Sequence, residues 1–579
     1  MAIVVKLIAA ASSSRGDDQE APVDLVFEKW ICWQMSEAVD RIESIRCKHL
    51  DQNAKRWTGL ERLLTIELVR SLDEAAFAFK IAPNSPELQE KDSARHLMLL
   101  GASTALASSL ALIRDDPGSV PWGRSDPHLA ALADNHLIEC GKLSVIHRLV
   151  SLERYGLAKT GFPSPDKLVI EVEDDGVEST ERAEGGWLSA QQRLRLRALE
   201  QSLVAKKDEI GQRIGRYVTA ANGWFIAYDP DLDTFNYHRD LAEVYSAGTA
   251  ELDSLPSMSP IGGRTFEEWN KVSIHAYGNV LHHIACGTKL KSRFPDLHLR
   301  NLLTIFARKD DIEEVWGGGA AGRQILDLLK LDAEGATKLD AHHEIPIPYY
   351  VDFGRDFVLL PIFGALMNPV AGLTNQLRHL HRRDWDQALN AREAVFRSDL
   401  ADLLGTDRYI VPDRGCNLRK SDGSSLTDVD AAVINRETGD LCLVQLKWPD
   451  IYGRSLAERE SRRSNLAKAN DWVERVHGWI AGRTSAEVCK ALQLPRGSDR
   501  PVSLLVLSRH VADFVGATEF DRRAIWASWP RLAKTVSESG GESFLYALAL
   551  RTASLRQTPP NTVVNKYRFP GLAVEVKVN

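Results

Sequence analysis

The sequence predicts a multidomain protein in which a mainly α-helical N-terminal region precedes a C-terminal α/β domain, a mixed central sheet flanked by helices. In the first 375 residues, apolar side chains recur at spacings of three and four, as on amphipathic helices. From residue 376 onward, short apolar runs bounded by polar turns alternate with helical patterns. A chain of 579 residues is also too long for one hydrophobic core.

The N-terminal region is predicted to form two helical domains, residues 1–185 and 186–345, followed by a connecting segment, 346–375. The acidic stretch 174–186 is predicted to be a loop at the first boundary, and Ser189 with Gln192 predicts a capping box for the next helix. Predicted helices cover 25–45, 59–79, 94–113, 129–154, 266–286, 298–316 and 324–331, and predicted β-segments cover 167–172 and 345–363.

A polar cluster interrupts two apolar segments near residue 430. Segments 427–434 and 440–448 flank a polar, glycine-containing loop, which predicts a β-hairpin. If the loop is symmetric, Asp430 lies opposite Gln445, and Lys447 shares their face. Both faces of the strand pair are otherwise apolar, so it is predicted to be a covered, central pair. Burying polar groups there without partners costs a few kcal/mol, so the cluster requires a reason.

These residues resemble the PD-(D/E)XK nuclease superfamily, in which an acid opens the second core strand and an (E/Q)-x-K tripeptide closes the third. The likeness covers residues 376–579, and the Q-x-K form resembles Mrr-type restriction endonucleases. The resemblance implies a restriction-endonuclease-like domain that cleaves phosphodiester bonds with Mg²⁺, for which Mn²⁺ can substitute. It also implies Asp430, Gln445 and the Leu446 carbonyl as metal ligands, and Lys447 as the group that orients or activates the attacking water.

Gln445 stands where the family more often has Glu. The amide removes one negative charge from the metal site but keeps an oxygen ligand that Mg²⁺ accepts. The resemblance also expects an acid from the helix that precedes the sheet. Glu393 interrupts the apolar stripe of that predicted helix and is the predicted third acid, catalytic and metal-binding, with Asp428 as second candidate. The alternatives are a solvated Glu393 and, for the whole cluster, a solvent-facing hairpin end with an incidental ion pair.

Later segments fit the same domain. A long helix is predicted over 454–480, and its Arg459, Arg463 and Asn465 are candidate nucleic-acid contacts, although alternating Arg and Glu are equally typical of a solvated face. A buried strand is predicted at 502–507, a helix at 526–534 and a hairpin at 563–578. Glu575-Val576-Lys577 on that hairpin is also an E-x-K string, but its turn sets Glu575 opposite Lys566, which indicates an edge salt bridge.

Three other motifs are weaker. Asp229–Asp233 begins like a calcium loop, but Thr234 and Asp240 occupy the places of its glycine and final glutamate. His282 and Cys286 have a zinc-ligand spacing without a second ligand pair in the nearby sequence, which favours ordinary core or surface residues. The glycine-rich stretch 317–322 lacks the Lys-Ser/Thr of a phosphate-binding loop.

Composition suits a cytoplasmic nucleic-acid enzyme. Seven scattered cysteines without a C-x-x-C pair indicate a reducing compartment, and no apolar run is long enough for a bilayer, so no membrane partner is expected. From residue 376 onward, 31 Lys and Arg face 25 Asp and Glu, whereas the preceding residues hold 41 against 54. A basic C-terminal third on an acidic body is typical of a nucleic-acid-cutting module attached to a region that does not bind nucleic acid.

The favoured hypothesis is therefore a Mg²⁺-dependent endonuclease acting on double-stranded DNA, with a helical N-terminal sensor or targeting region. By analogy alone, such fusions serve in defence against phage or foreign DNA. Cutting both strands with one site per chain favours a homodimer. The alternative hypothesis is an inactive nuclease-like fold that acts as a nucleic-acid-binding or assembly module.

Overall fold

The computed structural model describes residues 23–81, 89–114, 119–153, 157–172, 177–341, 344–449, 456–495, 497–513, 519–539, 543–554 and 563–578. Helices dominate up to residue 404, and the largest sheet forms between residues 409 and 528. Many helices with small mixed sheets make an architecture that is compatible with the predicted multidomain α/β class.

The first helices agree closely with the prediction. Helix 94–113 is in fact two helices that meet at Gly101, where a Cβ atom would lie 2.2 Å from the Leu137 carbonyl oxygen. Among the helices that the structure describes, none is by itself long and apolar enough to cross a membrane; Ser93–Leu100 and Ala102–Ile113 pass that test only as a pair bent by 47°. The bounds are α1 (Val23–Arg56), α2 (Glu61–Ile81), α3 (Gln89–Leu100), α4 (Ala102–Ile113) and α5 (Pro127–Leu152).

The next segment differs from the prediction in two places. The acidic stretch is helical from Val177 onward rather than a loop, because Glu181 and Glu184 are buried against the guanidinium of Arg531 at 2.6 and 2.9 Å. The capping box at Ser189 is wrong as well, since Ser189 lies inside that helix and donates to the Gly248 carbonyl. The elements are β1 (Ala158–Ser164), β2 (Lys167–Val172), α6 (Val177–Leu194), α7 (Arg197–Tyr217), β3 (Thr219–Ala221), β4 (Phe225–Ala227), α8 (Leu232–Ser246), β5 (Pro260–Ile261), β6 (Arg264–Thr265) and α9 (Phe266–Arg293).

The predicted helix 298–316 is interrupted by a strand, and the β-like segment 345–363 contributes two more strands to the same sheet. The four strands of this sheet lie in the order Ile305–Arg308, Phe357–Leu360, Tyr350–Asp352 and Lys330–Leu331. Its elements and neighbours are α10 (Arg300–Leu303), β7 (Ile305–Arg308), α11 (Lys309–Val315), α12 (Gly319–Leu329), β8 (Lys330–Leu331), α13 (Ala333–Ala341), β9 (Tyr350–Asp352), β10 (Phe357–Leu360), α14 (Phe363–Met367) and α15 (Ala371–Leu380).

The C-terminal α/β unit contains a five-stranded sheet of order β11-β14-β15-β16-β17. Strands β14 and β15 are antiparallel, and β15, β16 and β17 are parallel. The elements are α16 (Arg382–Leu389), α17 (Arg392–Leu404), β11 (Tyr409–Ile410), β12 (Cys416–Arg419), β13 (Ser425–Val429), β14 (Ala431–Asn435), β15 (Leu441–Lys447), α18 (Leu456–Ile480), α19 (Ser485–Ala491), β16 (Ser503–Ser508), β17 (Ile525–Ser528), α20 (Trp529–Glu538) and α21 (Phe544–Ser554). Residues 526–528, predicted as helix, thus belong to β17.

Helices cover both faces of this sheet, as the doubly apolar strand pair predicts. On one face, Ala432 and Leu443 pack with Trp472 and Val473 of α18. On the other face, the core formed around Val433 and Val444 includes residues of α17, α20 and α21. The buried pair β14–β15 therefore lies at the centre of the unit, and only its end can meet solvent.

The last two strands, β18 (Val563–Phe569) and β19 (Leu572–Val578), form the predicted hairpin. They lie outside the five-stranded sheet, however. β19 pairs in parallel with β2, which completes a four-stranded sheet of order β1-β2-β19-β18. Residues of the predicted domain 376–579 thus share a sheet with residues of the predicted domain 1–185, because β2 offers an apolar strand with an open edge.

Candidate active site

The hairpin register places Asp430 beside Gln445. The pairs Ile434–Leu441 and Ala431–Val444 confirm the symmetric loop. Asp430 directly precedes β14, and its carboxylate Oδ2 accepts hydrogen bonds from the Leu446 N–H, at 2.7 Å, and from the Gln445 side-chain amide. The acid and the amide predicted to lie opposite each other are therefore in direct contact at the end of the strand pair.

Both side chains are almost completely buried, Asp430 with 3% of its surface exposed and Gln445 with 6%. Burial raises the pKa of Asp430 to about 6. The Leu446 N–H and the charge of Lys447 oppose this rise in pKa, and the charges of Glu393 and Asp428 add to it. A buried carboxyl group whose pKa is raised in this way is typical of functional sites.

Asp430, Gln445, Leu446 and Lys447 line a cleft of about 730 Å³. Three helices contribute cationic side chains to the walls of the cleft, and positive charge there would attract a polyanion. These are Arg378 of α15, Arg392 of α17 and Arg462 of α18. Glu344, Glu393, Asp428, Ser461 and Asn465 also contribute to the polar lining. Glu344 and Arg378 also line a neighbouring cavity of about 680 Å³ between α12, α13 and α15, so the two spaces adjoin.

Glu393 also lines the cleft, but it is more exposed than its place in the apolar stripe predicts, with 49% of its side chain accessible. The helix that the sequence predicts over 385–400 breaks between Leu389 and Arg392, so Glu393 lies in the first turn of α17 rather than in mid-helix. Its carboxylate forms an ion pair with Arg397. Its charge still raises the pKa of Asp430. Glu393 thus lies near Asp430, as predicted, but its side chain is exposed rather than buried.

Arg397 organises the site and was not identified from the sequence. Its guanidinium is buried and donates to the backbone carbonyls of Asp430 and Asp413, the latter at 3.0 Å, as well as to Glu393. The arginine therefore connects the helix acid to the residue that opens β14. The i,i+4 spacing of Glu393 and Arg397 is the signal that the sequence offered for the ion pair, whereas the two carbonyl contacts left none.

Arg392 connects the cleft wall to the helical region. Its guanidinium donates to the Ser254 carbonyl at 2.6 Å and to the Trp448 carbonyl at 2.8 Å. Arg378 and Arg462 come from separate helices, so no sequence spacing relates these three arginines. Their common position could be seen only in three dimensions.

The predicted nucleic-acid contacts lie on α18. Asn465 is exposed and lines the cleft, and Arg463 is half-buried. The side chain of Arg459 lies outside the described residues. Asp428, the second candidate acid, is exposed in the same cleft, and its backbone carbonyl accepts from the Trp472 indole at 2.8 Å.

The weaker motifs have structural roles. Asp231 caps α8, accepting from the Thr234 N–H at 2.8 Å. His282 lies 2.8 Å from the Tyr217 hydroxyl, and its neighbour His283 lies between Tyr228 and the Leu303 carbonyl, as expected for satisfied core histidines. The glycines 317–319 have positive φ and lead directly into α12.

No protein-family model, curated protein or solved structure matches the chain. The function of the cleft is therefore inferred from the chemistry of its residues.

Proposed function

We propose that the chain is a Mg²⁺-dependent nuclease of the PD-(D/E)XK type, an endonuclease acting on double-stranded DNA. The observation that carries this proposal is the contact between Asp430 and Gln445, beside Lys447, at the open end of a covered strand pair. The antiparallel and parallel strands with helices on both faces support a restriction-endonuclease-like fold for this unit.

The donor set suits a hard divalent cation. Within the described part of the chain, the hydrogen bonds to the Asp430 side chain both end on Oδ2, which leaves Oδ1 for a ligand. The Lys447 carbonyl accepts from the Arg509 N–H on the β16 side of the strand. Peptide groups alternate in direction along a strand, so the Leu446 carbonyl, like the Leu446 N–H, points to the Asp430 side. A rotation of the Gln445 amide would present its oxygen. These three oxygens, with Glu393 as a more distant fourth donor, are ligands that Mg²⁺ or Mn²⁺ accepts.

The protein side chains supply the remaining functions. A bound Mg²⁺ would neutralise charge on the phosphate and lower the pKa of its bound water. Lys447 lies two residues beyond Gln445 on the same strand face, where its ammonium can orient an attacking water by donating a hydrogen bond. Arg378 on the cleft wall, with the buried charges of Arg392 and Arg462 beside it, would attract the flanking phosphates.

The helical region is proposed to sense or select the target, because it forms part of the cleft. Glu344 and Arg378 precede the five-stranded unit and face its site. Arg509 of that unit is held by Asp253 at 2.6 Å, and Arg531 by Glu181 and Glu184. A role in defence against foreign DNA, a cytoplasmic location and a homodimer that cuts both strands belong to the same proposal.

One observation favours the second candidate, an inactive nucleic-acid-binding or assembly module. The Gln445 amide donates to Asp430 as the side chains are placed, and Glu393 is paired with Arg397. Each carboxylate thus already has a partner within the chain. This candidate predicts binding of nucleic acid without cleavage.

Incubation of the full chain with supercoiled plasmid, linear DNA and RNA, in Mg²⁺ or Mn²⁺, separates the two candidates. We expect wild type to cleave DNA and Asp430→Asn to lose about 1,000-fold in rate, since the metal contributes several kcal/mol. Binding of DNA without cleavage by wild type would establish the module instead. Equal cleavage by wild type and Asp430→Asn would contradict the proposed site.

A further inference from the structure

A second group of side chains with metal-binding chemistry lies outside the cleft lining, between α1 and α5. His49 and Asn53 are four residues apart on α1, and His136 and Cys140 are four residues apart on α5. Residues at this spacing share a helix face. The two faces meet, so that the ligand atoms of His49, His136 and Cys140 all lie within 4.8 Å of one another.

The distances are close to those of a tetrahedral site. The Cys140 sulfur lies 3.6 and 3.7 Å from the two ring nitrogens of His136, and zinc bonds of the usual length separate nitrogen and sulfur by about 3.6 Å. His49 Nε2 lies 2.9 Å from His136 Nδ1, whereas two zinc-bound nitrogens are about 3.3 Å apart. Rotation of the half-buried His49 ring can supply the missing few tenths of an ångström.

We propose that His49, His136 and Cys140 bind a borderline-soft divalent cation, Zn²⁺ in the first instance, which joins α1 to α5. The Asn53 amide nitrogen lies 3.1 Å from His49 Nε2 and 3.3 Å from His136 Nδ1, so the amide oxygen, after rotation of the side chain, or a water held by Asn53 would take the fourth position. Two imidazoles and a thiolate select Zn²⁺ over Mg²⁺, so this site is chemically distinct from the oxygen-lined cleft and independent of the nuclease proposal.

The protonation states suit such a cation. Burial lowers the pKa of His136 to about 3 and also lowers that of His49, so both rings are neutral and offer lone pairs at neutral pH. Burial raises the pKa of the Cys140 thiol, as do the charges of Asp340 and Glu139, while Arg46 opposes them. The cation would have to displace the thiol proton, and its affinity should therefore rise with pH.

His282 and Cys286 provide an internal control. They have the same spacing on α9, and the sulfur lies 3.7 Å from His282 Nε2. The His238 ring of α8 lies 5.1 Å from the His282 ring, centre to centre, but His282 is bonded to Tyr217 and His283 to Tyr228. His282 and Cys286 thus have the same i,i+4 spacing as His136 and Cys140, but among the described residues no third ligand converges on them as His49 does on the other pair.

Cobalt substitution tests the proposal on the full chain, without an affinity tag and after removal of metal by chelation. Titration with Co²⁺ should give wild type a thiolate-to-cobalt charge-transfer band at one equivalent. Cys140→Ser should lose the band and Cys286→Ser should keep it. His49→Ala changes the least buried of the three ligands. It should weaken the affinity for Zn²⁺, measured by competition with Co²⁺, by more than about 10-fold. Zn²⁺ should raise the thermal midpoint of wild type but not of His49→Ala.

Two results would overturn the proposal. One is the absence of a charge-transfer band in folded wild type. The other is a band that persists in Cys140→Ser. If Cys140→Ser does not fold, the His49→Ala titration decides, because a Zn²⁺ affinity equal to that of wild type rejects the site.

Discussion

Gln445-Leu446-Lys447 and Glu575-Val576-Lys577 are nearly the same tripeptide on two apolar strands, yet their surroundings differ completely. Gln445 is buried opposite Asp430, at the open end of a sheet with helices on both faces. Glu575 lies opposite Lys566 on an edge hairpin and forms a salt bridge with Lys167 at 3.1 Å. The residue across the strand and the covering of the sheet, rather than the tripeptide, distinguish a candidate site from a surface ion pair.

The surroundings also shift the pKa of the carboxyl group in opposite directions in the two regions. Burial raises the pKa of Asp430 to about 6, which means that the fold disfavours its charge. The hydrogen bond and charge of Lys167 lower the pKa of Glu575, so that charge is favoured. Lys577 is likewise paired, with Glu171 at 3.1 Å. An unfavourable buried carboxylate at one place, beside a tripeptide whose two charges are both paired at the other, is the contrast expected between a functional site and a structural one.

Removing the two lysines should separate the regions most strongly. Lys447→Ala should reduce the rate of DNA cleavage by about 100-fold, the usual contribution of a positioned proton donor or acceptor. Lys577→Ala should leave the rate unchanged, because it breaks only a partly exposed ion pair with Glu171 of β2. Initial rates with plasmid under Mg²⁺ check both. Similar losses in the two variants would mean that the lysine in the cleft has no special role.

The pH dependence of cleavage gives a smaller but more specific effect. Asp430 must be ionised to bind a cation, and its pKa is about 6. Activity should therefore fall about 10-fold from pH 7 to pH 5, since the ionised fraction falls by that factor. Glu575→Gln should show the same profile as wild type. A profile that is flat between these pH values would show that Asp430 does not titrate in the active form.

Stability should respond in opposite directions at the two places. Because its pKa is raised in the folded state, ionisation of Asp430 lowers the free energy of unfolding. This loss is absent below the unfolded pKa near 4, grows between pH 4 and about pH 6, and is complete above pH 6. Asp430→Asn should therefore raise the free energy of unfolding by about 1–3 kcal/mol at pH 8 and have little effect at pH 4. Glu575→Gln should lower stability slightly at pH 8. Denaturant titrations at both pH values measure this contrast, and a loss of stability in Asp430→Asn at pH 8 would refute it.

Local pattern was enough to predict the centre of the C-terminal unit. Two continuous apolar runs and the short polar loop between them determine the register of β14 and β15, and they lie close together in the sequence. The same pattern predicts that Asp430 and Gln445 meet, and the structure places them in contact. Most N-terminal helices were predictable for the same reason, because amphipathic periodicity is local.

Features that depend on distant partners were not predictable. The acidic stretch folds as α6 because Arg531, some 350 positions away, pairs with Glu181. The last hairpin joins β2 rather than its neighbours in sequence. Arg397 acts through backbone carbonyls, which leave no trace in residue identity. His49 and His136 are 87 residues apart, so no local spacing relates them, whereas His282 and Cys286 are four residues apart on one helix.

Binding of Mn²⁺ to the cleft, measured by electron paramagnetic resonance without any nucleic acid, tests the central claim most directly, because it requires neither the right substrate nor an activator. Wild type should bind Mn²⁺ more tightly as pH rises through about 6, Asp430→Asn should lose that binding, and Glu575→Gln should retain it. Identical Mn²⁺ binding by wild type and Asp430→Asn at pH 8 would contradict the claim that Asp430 and Gln445 form a divalent-cation site.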